Sequence, residues 1–242
     1  MGKFNIALVE RTRDDLIRYL KLQDAFWSWK GHKHVAQLAS GKLSDFFANL
    51  SPLYTNLRLQ EQVGWALVYN AFQEADYQPL KDENLWVIGP AMGTVGLVQS
   101  VVNAIKFHNV NVKCAYTEKE YEAFNSMEGW VAIPKDTMVL KRFHLGDSPA
   151  VLLVEDVTTT GGTIMRTREA IKREYPEATF CTSILSVIDR RSPEDEGIFL
   201  VKSLLRVKPK TWETVDDLPE AMKGCIPLRP KANWKKLAEE ML

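Results

Sequence analysis

The sequence predicts an α/β domain: a largely parallel, twisted sheet with helices on both faces, preceded by a small irregular lobe. Three observations carry that expectation. From residue 85 onward, short apolar runs alternate with amphipathic helical stretches, the pattern of strands joined through crossover helices. Two strand-to-helix junctions, "VIGPAMGT" and "VEDVTTTGGT", fall where such sheets hold their ligands. The 242 residues are 45% apolar, enough for one large domain or for a core with an added lobe.

Taken in order, "RTRDDLIRYLKLQDAF" spaces Leu16, Ile17, Leu20 and Phe26 roughly along one helical face. "SGKLSDFFANLSPLYTN" has turn formers on both sides of its aromatic residues and reads as a hairpin or an irregular lobe. "NLRLQEQVGWALVYNAFQEA" carries Leu59, Val63, Ala66, Leu67 and Ala71 at amphipathic spacing, which predicts a helix. "LWVIG" is a strand, and "TVGLVQSVVNAIKF" is a helix with Val95, Val98, Val102 and Ile105 on one face. "VNVKCAY", "TMVLKRF" and the very apolar "AVLLVED" add strands. "TIMRTREAIKREYP" is a helix stopped by Pro176, followed by strands in "FCTSILSVID" and "GIFLVKSLLRV". In the tail, Trp234, Leu237, Met241 and Leu242 suit one face of a short closing helix that packs onto the core or a second subunit.

Composition removes several functions. Lys plus Arg and Asp plus Glu balance at 31 each, so no global positive field points to nucleic acid. Cys114, Cys181 and Cys225 lie far apart with no CxxC pair, which argues against zinc and for buried free thiols in a reducing compartment. No window reaches the roughly 18 apolar residues of a spanning helix, and "MGKFNIALVERTRDD" is not a secretory signal. A soluble, cytoplasmic protein is expected.

The chemistry concentrates in "VLLVEDVTTTGGT", residues 151 to 163. Glycine lets a backbone turn tightly and aim several N–H groups inward, and a following helix adds the positive end of its dipole. Thr158, Thr159, Thr160 and Thr163 contribute hydroxyls around Gly161 and Gly162. That is a phosphate cradle, but no Gly-Lys-Ser/Thr follows, so it is not a nucleoside-triphosphate loop. Glu155 and Asp156 at the strand end would repel a bare triphosphate, yet they are good acceptors for vicinal sugar hydroxyls. The combination favours a ribose 5-phosphate over the blander reading, in which two acids cap a strand and a turn opens a helix.

These residues resemble the phosphoribosyl pyrophosphate (PRPP) signature of type I phosphoribosyltransferases. The surrounding chain is most similar to the orotate phosphoribosyltransferase family, with "SGKLSDFF" like its N-terminal hood, "IGPAMGTVGL" like its pyrophosphate-side loop and "VIDRR" like its base-facing segment, in that family's order. The resemblance implies a hood over about residues 1–75, an α/β core over 76–207 and a C-terminal extension over 208–242. It implies that Glu155 and Asp156 hold the ribose hydroxyls and that Val157, Thr158, Thr159, Thr160, Gly161, Gly162 and Thr163 hold the 5-phosphate. Gly89, Pro90, Ala91, Met92, Gly93 and Thr94 would lie against the pyrophosphate. Phe46 and Phe47 would flank the base or plug the hood, and Arg190 would meet a base carboxylate or join a surface charge cluster. Lys119 is the catalytic-loop lysine, Mg²⁺ the cofactor held mainly by substrate oxygens, and a homodimer the assembly that the same resemblance implies.

The chain departs from that family's pattern where charge matters most. The loop run R-K-E-x-K-x-H-G is replaced by "TEKEYEAFN", with Glu118 for the Arg, Glu122 for the second Lys, Phe124 for the His and Asn125 for the Gly. Ala39 stands where the hood has a Lys. Lys135, Lys141, Arg142 and His144 follow, either as substitutes or as outward positions of a solvated strand. Three functions stay open: a phosphoribosyltransferase acting on orotate or another base, a diverged enzyme using the same pocket, and a non-catalytic sensor of PRPP or a nucleotide.

Overall fold

The computed structural model describes residues 2–38, 40–72, 84–107, 111–126 and 129–240. In chain order the elements are α1 (Gly2–Leu22), β1 (Phe26–Ser28), β2 (His34–Gln37), β3 (Leu43–Ser44), β4 (Phe46–Ala48), α2 (Leu57–Phe72), β5 (Leu85–Pro90) and α3 (Val95–Ile105). They continue with β6 (Lys113–Ser126), β7 (Gly129–Val139), β8 (Ala150–Thr158), α4 (Gly162–Glu174), β9 (Thr179–Phe180), β10 (Ser183–Asp189), β11 (Leu200–Arg206), β12 (Thr211–Trp212), β13 (Ile226–Leu228) and α5 (Pro230–Glu239).

The central sheet has the order β11-β10-β8-β5-β6-β7, with β9 paired to β8. Every neighbouring pair is parallel except β6 with β7, which run antiparallel as a long ribbon. The period-2 alternation of the strands sorts side chains onto two faces. Val87, Leu152, Val154, Leu185 and Val187 pack with α1, α2 and α3. Trp86, Ile88, Val151, Leu153 and Ile184 pack with Ile164 and Ile171 of α4. Both faces are thus covered, as a buried parallel sheet requires.

The expected helices form where their spacing places them. Leu16 and Leu20 of α1 and Leu59, Val63, Ala66, Leu67 and Ala71 of α2 are all buried. Phe26 leaves the α1 face and enters β1 instead, because α1 stops at Leu22 and Asp24 turns the chain with φ +47°.

Two outlines differ from expectation. The hood is not the first 75 residues. α1 and α2 lay their apolar stripes on the central sheet, leaving residues 26–55 as the lobe. The C-terminal extension belongs to that lobe as well. β12 adds to β3, and β13 runs parallel to β2, giving a four-stranded sheet of order β12-β3-β2-β13. Leu237 of α5 is buried beside Trp27 and Ala36, and Leu218 and Met222 close over Val35 and Leu43. A lobe of such short strands has too little apolar surface to be stable alone, and the tail supplies the remainder. Met241 and Leu242 lie outside the described residues. The three cysteines are free, but half-buried instead of fully buried.

Candidate functional site

β8 lies at the point where the sheet reverses direction: β5 leads on to β6 on one side, and β8 leads to β10 and β11 on the other. Loops leaving β5 and β8 therefore diverge to opposite faces and open a crevice at the strands' carboxyl ends. Both glycine-containing segments line that crevice.

On the β8 side, Gly161 adopts φ +80° and caps α4 with no side-chain cap hydrogen bond. First-turn N–H groups without a capping side chain, together with the helix dipole, make such a terminus suited to an anion. The glycine is required there, because a Cβ would stand 2.4 Å from the Phe199 ring as well as in a left-handed conformation. Gly162 N donates to Thr160 Oγ1 at 3.4 Å, and Thr159, Thr160 and Thr163 are half-buried around the turn. Thr158 differs from them. Its hydroxyl is buried and donates to Ser186 Oγ at 3.0 Å, while its carbonyl accepts from Arg190 N, so it ties β8 to β10. Val157 packs partly into the core, and its N–H donates to Asp156 Oδ1 at 2.7 Å.

The acid pair sits just before this turn, and alternation sends the two carboxylates to opposite faces of β8. Glu155, 7% exposed, feels Arg166 of α4. Burial pushes its carboxyl up to about 8, and the neighbouring Asp156 charge adds to that. Burial also raises Asp156, against the pull of the Val157 N–H and of Lys231. A Cβ on Gly93 would lie 3.2 Å from Asp156 Oδ2, so the two loops meet at this carboxylate. A buried and a half-buried carboxylate with few protein donors are suited to accept from a ligand's hydroxyls.

The opposite wall is the β5 loop. Gly89 and Pro90 end the strand, and the chain turns through Ala91, Met92 and Gly93, with Ala91 N donating to Thr117 O at 2.7 Å. Buried Thr94 donates to Pro90 O at 2.6 Å and locks the turn, and Met92 is exposed at its tip. Lys119 stands exposed on β6, two residues past Thr117, which pairs with Pro90.

The hood forms the third wall. Arg190, at the end of β10, is buried and is no part of a surface cluster. It donates to Ser44 Oγ at 3.1 Å and Phe46 O at 2.9 Å, and its guanidinium lies 5.7 Å and 6.0 Å from the Phe46 and Phe47 rings. Nε has no partner, and desolvation lowers its affinity for the proton to about 10, opposed by Asp45. Arg191 instead turns to the sheet edge and pairs with Asp189, which also holds Arg206.

Three residues at this site escaped the sequence reading. Tyr54 has a buried, unpartnered hydroxyl and an ionisation opposed by burial and by Asp156. Arg166 lies one helical turn beyond Gly162, with Nη1 3.4 Å from where a Cβ on that glycine would be. Its i+4 spacing from the signature glycine was a usable signal. Lys231 comes from α5, and its charge reaches both Glu155 and Asp156. No local pattern announces it. The acids of the ribbon are paired locally: Glu118, in place of the Arg, with Arg142 at 3.1 Å, and Glu120 and Glu122, the latter in place of the second Lys, with Lys135 at 3.6 and 3.9 Å.

A glycine-threonine turn at a helix N-terminus, an acid pair and a lobe bearing aromatics and arginine surround one crevice of an α/β protein. The phosphoribosyl transferase domain model matches residues 58–219, and the chain belongs to that family. It is 34% identical to an orotate phosphoribosyltransferase of Bradyrhizobium diazoefficiens over 63% of this chain and 72% of that protein. It is 26% identical to one from Methanocaldococcus jannaschii over 66% and 76%. A phosphoribosyltransferase from Corynebacterium diphtheriae shares the fold at TM-score 0.50, with 18% identity over 81% of this chain and 96% of that one. Among the described residues no helix is long and apolar enough to cross a membrane.

Proposed function

We propose that the protein transfers ribose 5-phosphate from PRPP to a nucleobase, with orotate as the base, in pyrimidine nucleotide synthesis. The observation that carries this reading is the meeting of Asp156 with Gly93 at the mouth of the Gly161–Gly162 cradle. A ribose seated there has its hydroxyls on Glu155 and Asp156, its 5-phosphate on the first turn of α4 and its C1 substituent toward the β5 loop. Arg190 and the Phe46–Phe47 segment then face the base, an arrangement of cation and aromatic edge suited to a planar, anionic heterocycle.

Displacement at C1 needs positive charge on the sugar and negative charge on the departing pyrophosphate to be stabilised together. The buried acid pair lies beside the first. The uncapped N–H groups of α4 and Arg166 fix the phosphate, so that the ribose is held in one orientation while the bond breaks. Mg²⁺, when bound, supplies charge neutralisation of the diphosphate. Glu155 and Asp156 fit an ion that rests chiefly on substrate oxygens, since no cluster of three His, Cys, Asp or Glu side chains exists among the described residues to hold one alone. We take the working form to be a cytoplasmic homodimer, as the family resemblance implies.

The test is incubation with PRPP, Mg²⁺ and a panel of bases, following pyrophosphate. Release with orotate supports the assignment, and release with another base alone moves the substrate. PRPP binding with no release on any base would establish instead a sensor of the same ligand, the reading that the acidic ribbon favours.

A further inference from the structure

Where β10 ends, two consecutive arginines part: Arg190 turns to the hood, and Arg191 turns to the loop that leads into β11. The Arg191 side chain is only 4% exposed, and four of its N–H groups are engaged. Nε and Nη2 donate to the two oxygens of Asp189 at 3.0 and 3.1 Å, and Nη1 donates to Glu196 O at 3.2 Å and to Phe199 O at 2.6 Å. Arg206 holds both Asp189 and Glu196, so the loop is fixed from its other side as well. The Arg191 guanidinium lies 5.2 Å from the centre of the Phe199 ring. That ring packs against the buried cluster that includes Ile164 and Ile171 of α4. Its Cε1 and Cζ atoms each stand 2.4 Å from where a Cβ on Gly161 would be. The ring edge therefore rests on the Cα of Gly161, the residue that opens α4 with φ +80° and whose carbonyl accepts from Met165 N at 3.0 Å.

We propose that Arg191 is a positioning residue for the candidate phosphate turn: it holds the Phe199 ring against Gly161, and the ring fixes the direction in which the first N–H groups of α4 point. The inference rests on the reading of that turn as the seat of the sugar's 5-phosphate. Taking a guanidinium out of water is costly even when it is paired, and apolar replacements of such pairs are often neutral or better for stability. A buried network of this kind behind a binding turn has its use in the geometry that it sets. The planar fork of Arg191 fixes the Phe199 carbonyl and ring together. The ring then backs the left-handed turn and keeps the N–H donors of α4 on an anion in the crevice. Misplacing such donors by an ångström forfeits much of their effect. Because Arg190 serves the hood, one strand end places both halves of the site, the base side through Arg190 and the phosphate side through Arg191.

The experiment titrates inorganic phosphate and ribose 5-phosphate by calorimetry into the full chain, Phe199→Ala, Arg191→Lys, Gly161→Ala and the double variant Gly161→Ala/Phe199→Ala, with steady-state kinetics on PRPP and orotate. Phe199→Ala and Arg191→Lys should each weaken both ligands about tenfold, equivalent to one misaligned charge-assisted contact. Lysine keeps the charge but cannot bridge Asp189 and two carbonyls. KM for PRPP should rise by the same factor, while KM for orotate and kcat stay at wild-type values. In the double variant the ring that opposes a Cβ at position 161 is gone, so its loss should be smaller than the product of the two single losses. Val9→Ala, a buried change in α1 away from the turn, should lower stability and leave phosphate affinity unaltered. Wild-type affinity in Phe199→Ala would overturn the assignment, as would single losses that simply multiply or a loss that Val9→Ala shares. If Arg191→Lys does not fold, Phe199→Ala and the double variant decide. Wild-type protein that binds neither ligand would overturn the phosphate reading itself, whereas wild-type binding that survives intact in Phe199→Ala overturns only this inference.

Discussion

The crevice at the end of β8 and the β6–β7 ribbon sit side by side yet treat charge in opposite ways. In the crevice Glu155 is buried and Asp156 half-buried, neither with an ion-pair partner, and desolvation raises both. In the ribbon, three glutamates stand at half-buried or exposed positions, each beside Lys135 or Arg142, and Glu120 is held below its ordinary range chiefly by the Thr137 hydroxyl. A carboxyl desolvated without a partner costs stability and is found where a ligand uses it. Exposed pairs of this kind contribute little and tolerate exchange. The corner that would grip the sugar phosphate is thus built at an energetic cost, whereas the ribbon's charges sit in pairs that add little to stability.

That contrast sets the expected order of effects. The largest should follow Asp156→Asn, which removes an acceptor at the meeting point of both loops. PRPP affinity should fall about 100-fold, two charge-assisted hydrogen bonds' worth, and calorimetry showing wild-type affinity would break the assignment of the pocket. Gly161→Ala comes next. A left-handed non-glycine residue facing the Phe199 ring should cost about 1–3 kcal/mol of stability and disturb phosphate binding, read by denaturant unfolding and phosphate titration.

Glu155 gives a pH signature. The folded chain keeps its proton up to about 8, while in the unfolded chain the carboxyl returns to its ordinary 4.5. The folded state therefore binds more protons between those values, and stability from this group is present at low pH and is lost as pH rises through the window. Glu155→Gln should flatten that slope. Urea unfolding at pH 5 and pH 8 measures it, and identical slopes in the two proteins would show that the carboxyl is not desolvated. The smallest effects belong to the ribbon: Lys135→Ala or Arg142→Ala should change stability by less than about 1 kcal/mol and leave PRPP affinity unaltered. A large loss of binding would mean that the ribbon closes on the ligand after all.

The sequence made the central sheet legible because its strands are buried on both faces and its glycine-threonine turn has few other uses. Residues 151–163 reveal both a strand and the turn that opens α4. The hood was legible only in part. Its strands are two to four residues long, too short for periodicity to separate them from turns, and half of its sheet comes from β12 and β13, far along the chain. Arg190 illustrates the same limit. Its neighbours Asp189 and Arg191 suggest a surface cluster, but burial is decided by where β10 ends against the hood. Thr158 reads like its fellow threonines, yet strand alternation turns its hydroxyl to Ser186. Long-range placement, not residue type, decides these cases.

The central claim is that Glu155 and Asp156 hold the ribose hydroxyls while the Gly161–Gly162 turn holds the phosphate. Titrating ribose 5-phosphate and 2-deoxyribose 5-phosphate into wild type and Asp156→Asn tests it most directly. Wild type should prefer the ribose by about tenfold, one hydrogen bond to a charged group, and the variant should lose the preference while still binding phosphate. Equal wild-type affinity for the two sugars, or a preference that survives in Asp156→Asn, would contradict it.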